Sequence, residues 1–305
     1  MKISIIGAGN VGSLAAMRIA QDALGDVVLV DIAKGIAYGK SLDLEDARSI
    51  LKIPYNITGS DNIEAISGSD IVVVTAGLTR KPGMLREELL KKNAEIIKSV
   101  CLNIKKLAPD SVVVIVTNPL DLMTYLALKT TGFDSRRVFG MGITLDASRF
   151  ANLISKELNV PVTDIDPVVI GSHGEGMLPL ARLTVIKGVP LTKFLDLQKI
   201  DELIGRTVGR GQEIVTSLGS GSAFFAPSAA IAEIAGVIAK DTKRILGVSA
   251  CLGGEYGLKD VCIGTPCRLG KKGIEQIIEL RLESREKEIF LKSADKLKEQ
   301  NSLIS

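Results

Sequence analysis

Tryptophan is missing from this 305-residue chain, and aromatic residues of all kinds make up only 4% of it. Histidine occurs once, as His173. One imidazole, with four cysteines (Cys101, Cys251, Cys262, Cys267) that show no CxxC spacing, argues against a zinc centre, so no metal is expected. The thiols are read as reduced and mostly buried, as in a cytoplasmic protein. Neither charge is in excess. The 38 basic and 35 acidic residues leave +3, too balanced for a nucleic-acid partner. Long apolar runs are lacking too. Residues 112–116 are strand-length, far below the roughly 20 that span a bilayer, so no membrane partner is expected. The opening Met1-Lys2-Ile3-Ser4-Ile5-Ile6 has neither the apolar stretch nor the small-residue site of a signal peptide.

What is abundant is aliphatic. Hydrophobic residues reach 46%, carried by Val, Ile, Leu and Ala. That suits parallel strands covered on both faces. It also leaves apolar surface for a subunit interface, and a homotetramer or homodimer is expected. The length allows one large domain or two that share an interface.

Strand and helix signals alternate through the first half: strands at 2–7, 27–32, 71–76, 112–117 and 137–142, helices at 12–24 and 85–107. Such alternation means a parallel sheet with crossover helices. Near 143–145 the topology changes. Residues 146–158 read as a helix, and 166–171 and 181–187 as strands. Residues 200–218 are helical, with Gly209 and Gly211 expected to bend or loosen them. A small-residue helix at 227–240 precedes an antiparallel meander at 246–252, 260–267 and 274–282. Ser284 can cap a last helix with Glu286 in its first turn, and Ile289, Phe290, Ala294 and Leu297 form its apolar stripe.

Gly7-Ala8-Gly9-Asn10-Val11-Gly12 is a GxGxxG between a strand and a helix. Gly7 permits the tight turn, Gly9 admits a pyrophosphate, and Gly12 lets helix and strand pack closely. Asp31 ends the next strand, nineteen residues after Gly12. A carboxylate there binds ribose hydroxyls and repels a 2′-phosphate, so the expected cofactor is NAD. Thr75-Ala76-Gly77 and Val116-Thr117-Asn118-Pro119 end strands at the edge where ligands collect. Asn118 could hold an amide or a hydroxyl there, or simply form a turn before Pro119.

Five further residues supply what hydride transfer to NAD requires. His173, in Gly171-Ser172-His173-Gly174, can accept a hydroxyl proton near neutral pH. Asp146 can orient the ring and favour the imidazolium. Arg149, one helical turn from Asp146, can fork onto a carboxylate. Arg86 can polarise a carbonyl, delivered by a lid over 77–83 that also carries Arg80. Taken singly, each has a plainer explanation: solvated arginines, a surface ion pair, a histidine filling a turn.

These residues also carry a resemblance. The chain resembles the lactate/malate dehydrogenase family, in particular its lactate-dehydrogenase-like malate dehydrogenases, through GAGNVG, TAGLTRKPGMLREELLKKN, VTNPLD, GITLDASRF, GSHGEGMLPL, GSGSAFFAPSAA and the 254–280 segment, in order. It implies an α/β chain. A Rossmann NAD-binding domain over 1–144 precedes an α+β substrate domain with the meander over 145–305. It implies that Asn93 and Val116, Thr117 and Asn118 line the cofactor site. Arg86 would polarise the carbonyl, Asn118 and Arg149 would hold the substrate, and His173 with Asp146 would take the proton. The substrate class is a dicarboxylic 2-hydroxy or 2-oxo acid. The resemblance implies that Arg80 decides it, because lactate enzymes commonly carry Gln there and malate enzymes Arg. Burying malate's second carboxylate unpaired would be costly. The resemblance also implies that Ala223, where lactate enzymes typically carry Thr, leaves room for the longer acid. Ser172, Glu175 and Gly176 depart from the family's Gly-Gly-His-Gly-Asp-Thr/Ser pattern and are expected to loosen the turn behind His173.

Overall fold

A computed structural model of the chain describes residues 1–78, 85–219 and 221–304, with the backbone but not the side chain of Arg86. Arg80 and residues 79–83 of the expected lid lie outside the described residues. Six parallel strands open the main sheet: β1 (Lys2–Ile6), β2 (Asp26–Val30), β3 (Ile57–Ser60), β4 (Ile71–Val74), β5 (Val112–Ile115) and β6 (Val138–Gly140). Their order is β3-β2-β1-β4-β5-β6, that of dinucleotide-binding sheets. Every residue of β4 and β5 is buried, which is why both read as unbroken aliphatic runs. Order reverses between β1 and β4, so the C-terminal ends of these two strands open a crevice.

The crossover helices are α1 (Asn10–Gln21), α2 (Ile36–Leu51), α3 (Arg86–Leu107) and α4 (Leu120–Thr131). Sequence periodicity reveals neither α2 nor α4, for opposite reasons. α2 buries only Ala37 and Ser41, so its apolar residues form no stripe facing the core of the chain. α4 is buried on most sides, from Leu120 through Leu128, so no polar stripe marks its period.

The second half comprises α5 (Gly142–Leu158), the short strands β7 (Ile165–Asp166), β8 (Val169–Gly171), β9 (Met177–Pro179), β10 (Val185–Ile186) and β11 (Val189–Pro190), then α6 (Leu197–Leu218) and α7 (Phe225–Ala239). The chain ends with the meander β12 (Ile245–Gly253), β13 (Lys259–Gly270) and β14 (Gly273–Ile277), and α8 (Ser284–Asn301). The meander is antiparallel, as expected, but it is not a separate sheet. Ser249 of β12 pairs with Gly140 of β6, and Gly264 of β13 with Gly171 of β8, so one sheet runs through both halves. α7 also returns to the first half. Its Ala230, Ile231, Ile234 and Ala235 share a core with Ala15, Ala16 and Ile19 of α1.

Local expectations are corrected at several places. Residues 166–171 are not one strand: Pro167 interrupts them, and β7 and β8 join different sheets. Residues 181–187 hold a strand only at β10. Before it, the Leu183 and Thr184 N–H groups donate to the Leu180 carbonyl and form a turn. The strand expected at 137–142 stops at Gly140 because α5 begins at Gly142, and the last strand stops at Ile277. The helical reading of residues 200–218 holds: α6 spans Leu197–Leu218 with Gly209 and Gly211 inside it. The N-cap of α8 is Glu283, whose N–H donates to Glu286 Oε2 at 2.8 Å, and not Ser284. Phe290, Ala294 and Leu297 are buried, but Ile289 is 40% exposed.

Candidate active site

The glycine loop is shaped by close approach. Gly7 has φ +110°, and a Cβ on it would lie 2.6 Å from Thr75 Oγ1. A Cβ on Gly12 would collide with the Gly7 carbonyl oxygen. Gly9, by contrast, faces open space and begins α1 with no side-chain cap. Among the described residues no side chain caps α1, so the N–H groups of its first turn, with Asn10 and Val11, can meet a phosphate group. Asp31 braces the loop. Its Oδ2 accepts from the Ala8 N–H at 2.7 Å and its Oδ1 from the Ala33 N–H at 2.9 Å. Lys40 of α2, which sequence reasoning passed over, donates from Nζ to the Ala8 carbonyl at 2.6 Å. Glycine loop, free helix terminus and carboxylate together fit a dinucleotide.

Asn93 is 1% exposed, and its amide is fully used. Oδ1 accepts the Leu78 N–H at 2.8 Å, while Nδ2 donates to Leu78 O at 3.2 Å and Asn118 O at 2.8 Å. It ties the two strand ends together. Thr117 Oγ1 does the same across the crevice, donating to Ala76 O at 2.7 Å. Val116 packs on the core behind them. Asn118, followed by a cis bond to Pro119, is exposed.

His173 and Asp146 are brought together from distant parts of the chain. His173 Nδ1 lies 2.7 Å from Asp146 Oδ2, and Arg149 donates to Asp146 Oδ1 at 3.2 Å. Asp146 is fully buried and Arg149 nearly so. Among the described residues, Arg149 Nε is buried and has no hydrogen-bond partner. Burial pulls the Arg149 guanidinium below its usual range, against the attraction of Asp146. Burial also disfavours the His173 imidazolium, but the charge and hydrogen bond of Asp146, with the charge of Asp121, outweigh it. The net shift is upward from 6.5. With Nδ1 committed to Asp146, Nε2 is the atom left for chemistry.

Gly142 and Ser293 contribute without having been anticipated. A Cβ on Gly142 would stand 2.8 Å from His173 Cγ, so glycine is what lets the ring lie against the start of α5. Ser293 of α8 donates to Ser172 Oγ at 3.0 Å and accepts from the Ser172 N–H at 3.3 Å. A Cβ on Gly176 would collide with that Ser172 hydroxyl. The departures at 172 and 176 thus compensate: a hydroxyl gained on one side of the turn fills the space freed on the other. The Ser293 bonds brace the turn on its Ser172 side.

Residues 1–140 match the family model for the lactate/malate dehydrogenase NAD-binding domain, and 143–304 that for the lactate/malate dehydrogenase α/β C-terminal domain. A protein named malate dehydrogenase from Methanosarcina mazei is 49% identical, covering 98% of this chain and 97% of its own length. The apo malate dehydrogenase of Picrophilus torridus superposes with TM-score 0.96 at 39% identity, over 99% of this chain and 97% of that one. The lactate dehydrogenase of Cryptosporidium parvum, solved with lactic acid and nicotinamide adenine dinucleotide, also gives TM-score 0.96, at 36% identity over 99% and 97% of the two chains. Backbone likeness therefore does not separate the two substrates. The separation has to come from side chains.

Proposed function

The chain belongs to the lactate/malate dehydrogenase family, and we propose that it interconverts (S)-malate and oxaloacetate with NAD. One observation carries the catalytic part of the reading: Asp146 holds His173 at 2.7 Å and Arg149 at 3.2 Å. Bound NAD would supply the hydride acceptor. Gly7, Gly9, Gly12 and Asp31 would hold it, with Asn93, Val116, Thr117 and Asn118 shaping its far end.

In this reading His173 takes the malate hydroxyl proton at Nε2, and the imidazolium so formed is stabilised by Asp146. Arg149 presents its outer nitrogens to the substrate's C1 carboxylate. Arg86, which opens α3, stabilises charge developing on the carbonyl oxygen during reduction. Arg80 meets the second carboxylate. Steady-state rates with oxaloacetate and with pyruvate, each with NADH, test this assignment. The wild-type protein should favour oxaloacetate, and Arg80→Gln should cost roughly 100-fold with oxaloacetate while changing pyruvate turnover little. A wild-type preference for pyruvate would sink the malate assignment.

The reading includes self-assembly. Ile36, Tyr38, Leu42 and Ile50 on α2 are exposed, and a second copy of the chain would cover them. Light scattering on the purified protein should give a homodimer or homotetramer, and a monomer at micromolar concentration would refute it. Four free thiols suit a reducing compartment, which favours the cytoplasm.

A further inference from the structure

Asp121 is a buried carboxylate that the mechanism above does not use. It stands in the first turn of α4 and is 4% exposed. Its Oδ2 accepts the backbone N–H of His173 at 2.8 Å, and its Oδ1 accepts the Ser249 hydroxyl at 2.6 Å. One carboxylate thus joins three elements: α4, the meander strand β12, and the turn that carries His173. The His173 N–H and the Ser249 hydroxyl, which can accept as well as donate, could both be satisfied by a neutral amide, without the cost of burying a charge. The charge therefore calls for its own account.

The imidazole provides it. Burial pushes the Asp121 carboxyl up to about 6, while the hydrogen bonds from Ser249 and His173 and the attraction of the His173 ring hold it from rising further. Above that pH it is an anion beside the ring. The other charged or titratable groups facing the pair, among the described residues, are Asp146 and Arg149 of α5 and Cys262 of β13. Burial raises the Cys262 thiol well above its usual range, so it brings no charge. The ring is left between two carboxylates and one guanidinium, and the second carboxylate tips that balance toward the protonated ring.

We propose that Asp121 is a positioning residue of the proton-transfer site, seating the His173 turn through its hydrogen bonds and raising the proton affinity of the ring through its charge. The proposal rests on His173 being the proton carrier, but the coupling can be read without any turnover. Because the chain has a single histidine, protein labelled with [13C]histidine gives one ring signal, whose pH titration reports His173 alone.

Asp121→Asn separates charge from contact. The amide oxygen can still accept the His173 N–H, and the amide nitrogen can donate to the Ser249 hydroxyl. Losing the anion should lower the ring's midpoint by at least about half a pH unit. The pH profile of kcat/KM for oxaloacetate reduction should move down by the same amount, with KM for NADH unchanged. An unmoved midpoint in the folded variant would overturn the role of the charge and leave Asp121 structural. If Asp121→Asn does not fold, Ser249→Ala gives a second reading. It removes a bond that favours the ionised carboxylate, so Asp121 ionises later and the ring midpoint falls in the same direction by less. No movement there would equally overturn the proposal. A moved ring midpoint with an unmoved rate profile would uphold the coupling and instead overturn His173 as the proton carrier.

Discussion

His173→Asn is expected to lower turnover by ~10³–10⁴-fold in both directions while leaving the protein folded. No other imidazole exists to take over the proton. Asparagine fits the space, its backbone N–H still reaches Asp121, and its amide nitrogen can donate to Asp146. What it lacks is an atom that gains and loses a proton near neutrality. Malate oxidation by the wild type needs the neutral ring, so its rate should rise with pH through an ionisation above 6.5, the direction in which Asp146 and Asp121 outweigh burial. Oxaloacetate reduction needs the protonated ring and should fall through the same ionisation. Both limbs should vanish in the variant. Stability gives an independent check. A histidine whose folded-state pKa lies above its unfolded value stabilises the fold fully below the unfolded value, and loses that contribution as pH rises through the folded one. The thermal-stability gap between wild type and variant should therefore narrow as pH rises from below 6.5 to well above it. Turnover within tenfold of wild type would assign the proton to another group.

Legibility in the sequence follows how local each constraint is. The glycine loop and Asp31 lie within one βαβ unit, so spacing alone foretold their geometry. The aliphatic runs of β4 and β5 announced a covered parallel sheet. The pairing of His173 with Asp146 was legible from chemistry and family likeness, although 27 residues separate them. What escaped depends on contacts between distant segments. Asp121 gains its partners from β12 and from the His173 turn. Gly142 matters only because a ring packs on it. Ser172 and Gly176 looked like losses until Ser293, 121 residues away from Ser172, closed the gap. The union of both halves in one sheet rests on Ser249 opposite Gly140 and Gly264 opposite Gly171, which no local pattern encodes.

Asp146→Asn should damage activity and stability together, and that combination distinguishes it from His173→Asn. The carboxylate faces two donors, the Nδ1–H of His173 and a guanidinium N–H of Arg149. An amide has one acceptor and one donor, so it cannot serve both. If its nitrogen turns to Arg149, two sets of N–H groups oppose each other, and a buried guanidinium loses its counter-ion. If its nitrogen turns to His173, the ring must present an unprotonated Nδ1 and carry its proton on Nε2. That tautomer cannot accept a hydroxyl proton at Nε2, so kcat for malate oxidation should fall by ~10³–10⁴-fold. Reduction suffers as well, because the imidazolium loses the anion that most favours it. Arg149 is only 11% exposed, and breaking a buried pair by removing one partner costs about 3–5 kcal/mol. The variant should therefore melt well below both the wild type and His173→Asn, in which the Asp146–Arg149 pair persists. KM for oxaloacetate should also rise, since Arg149 is no longer held in place. An Asn variant that keeps wild-type stability would show that Arg149 does not depend on this carboxylate. One that loses less than tenfold in turnover would show that the tautomer of His173 is set elsewhere.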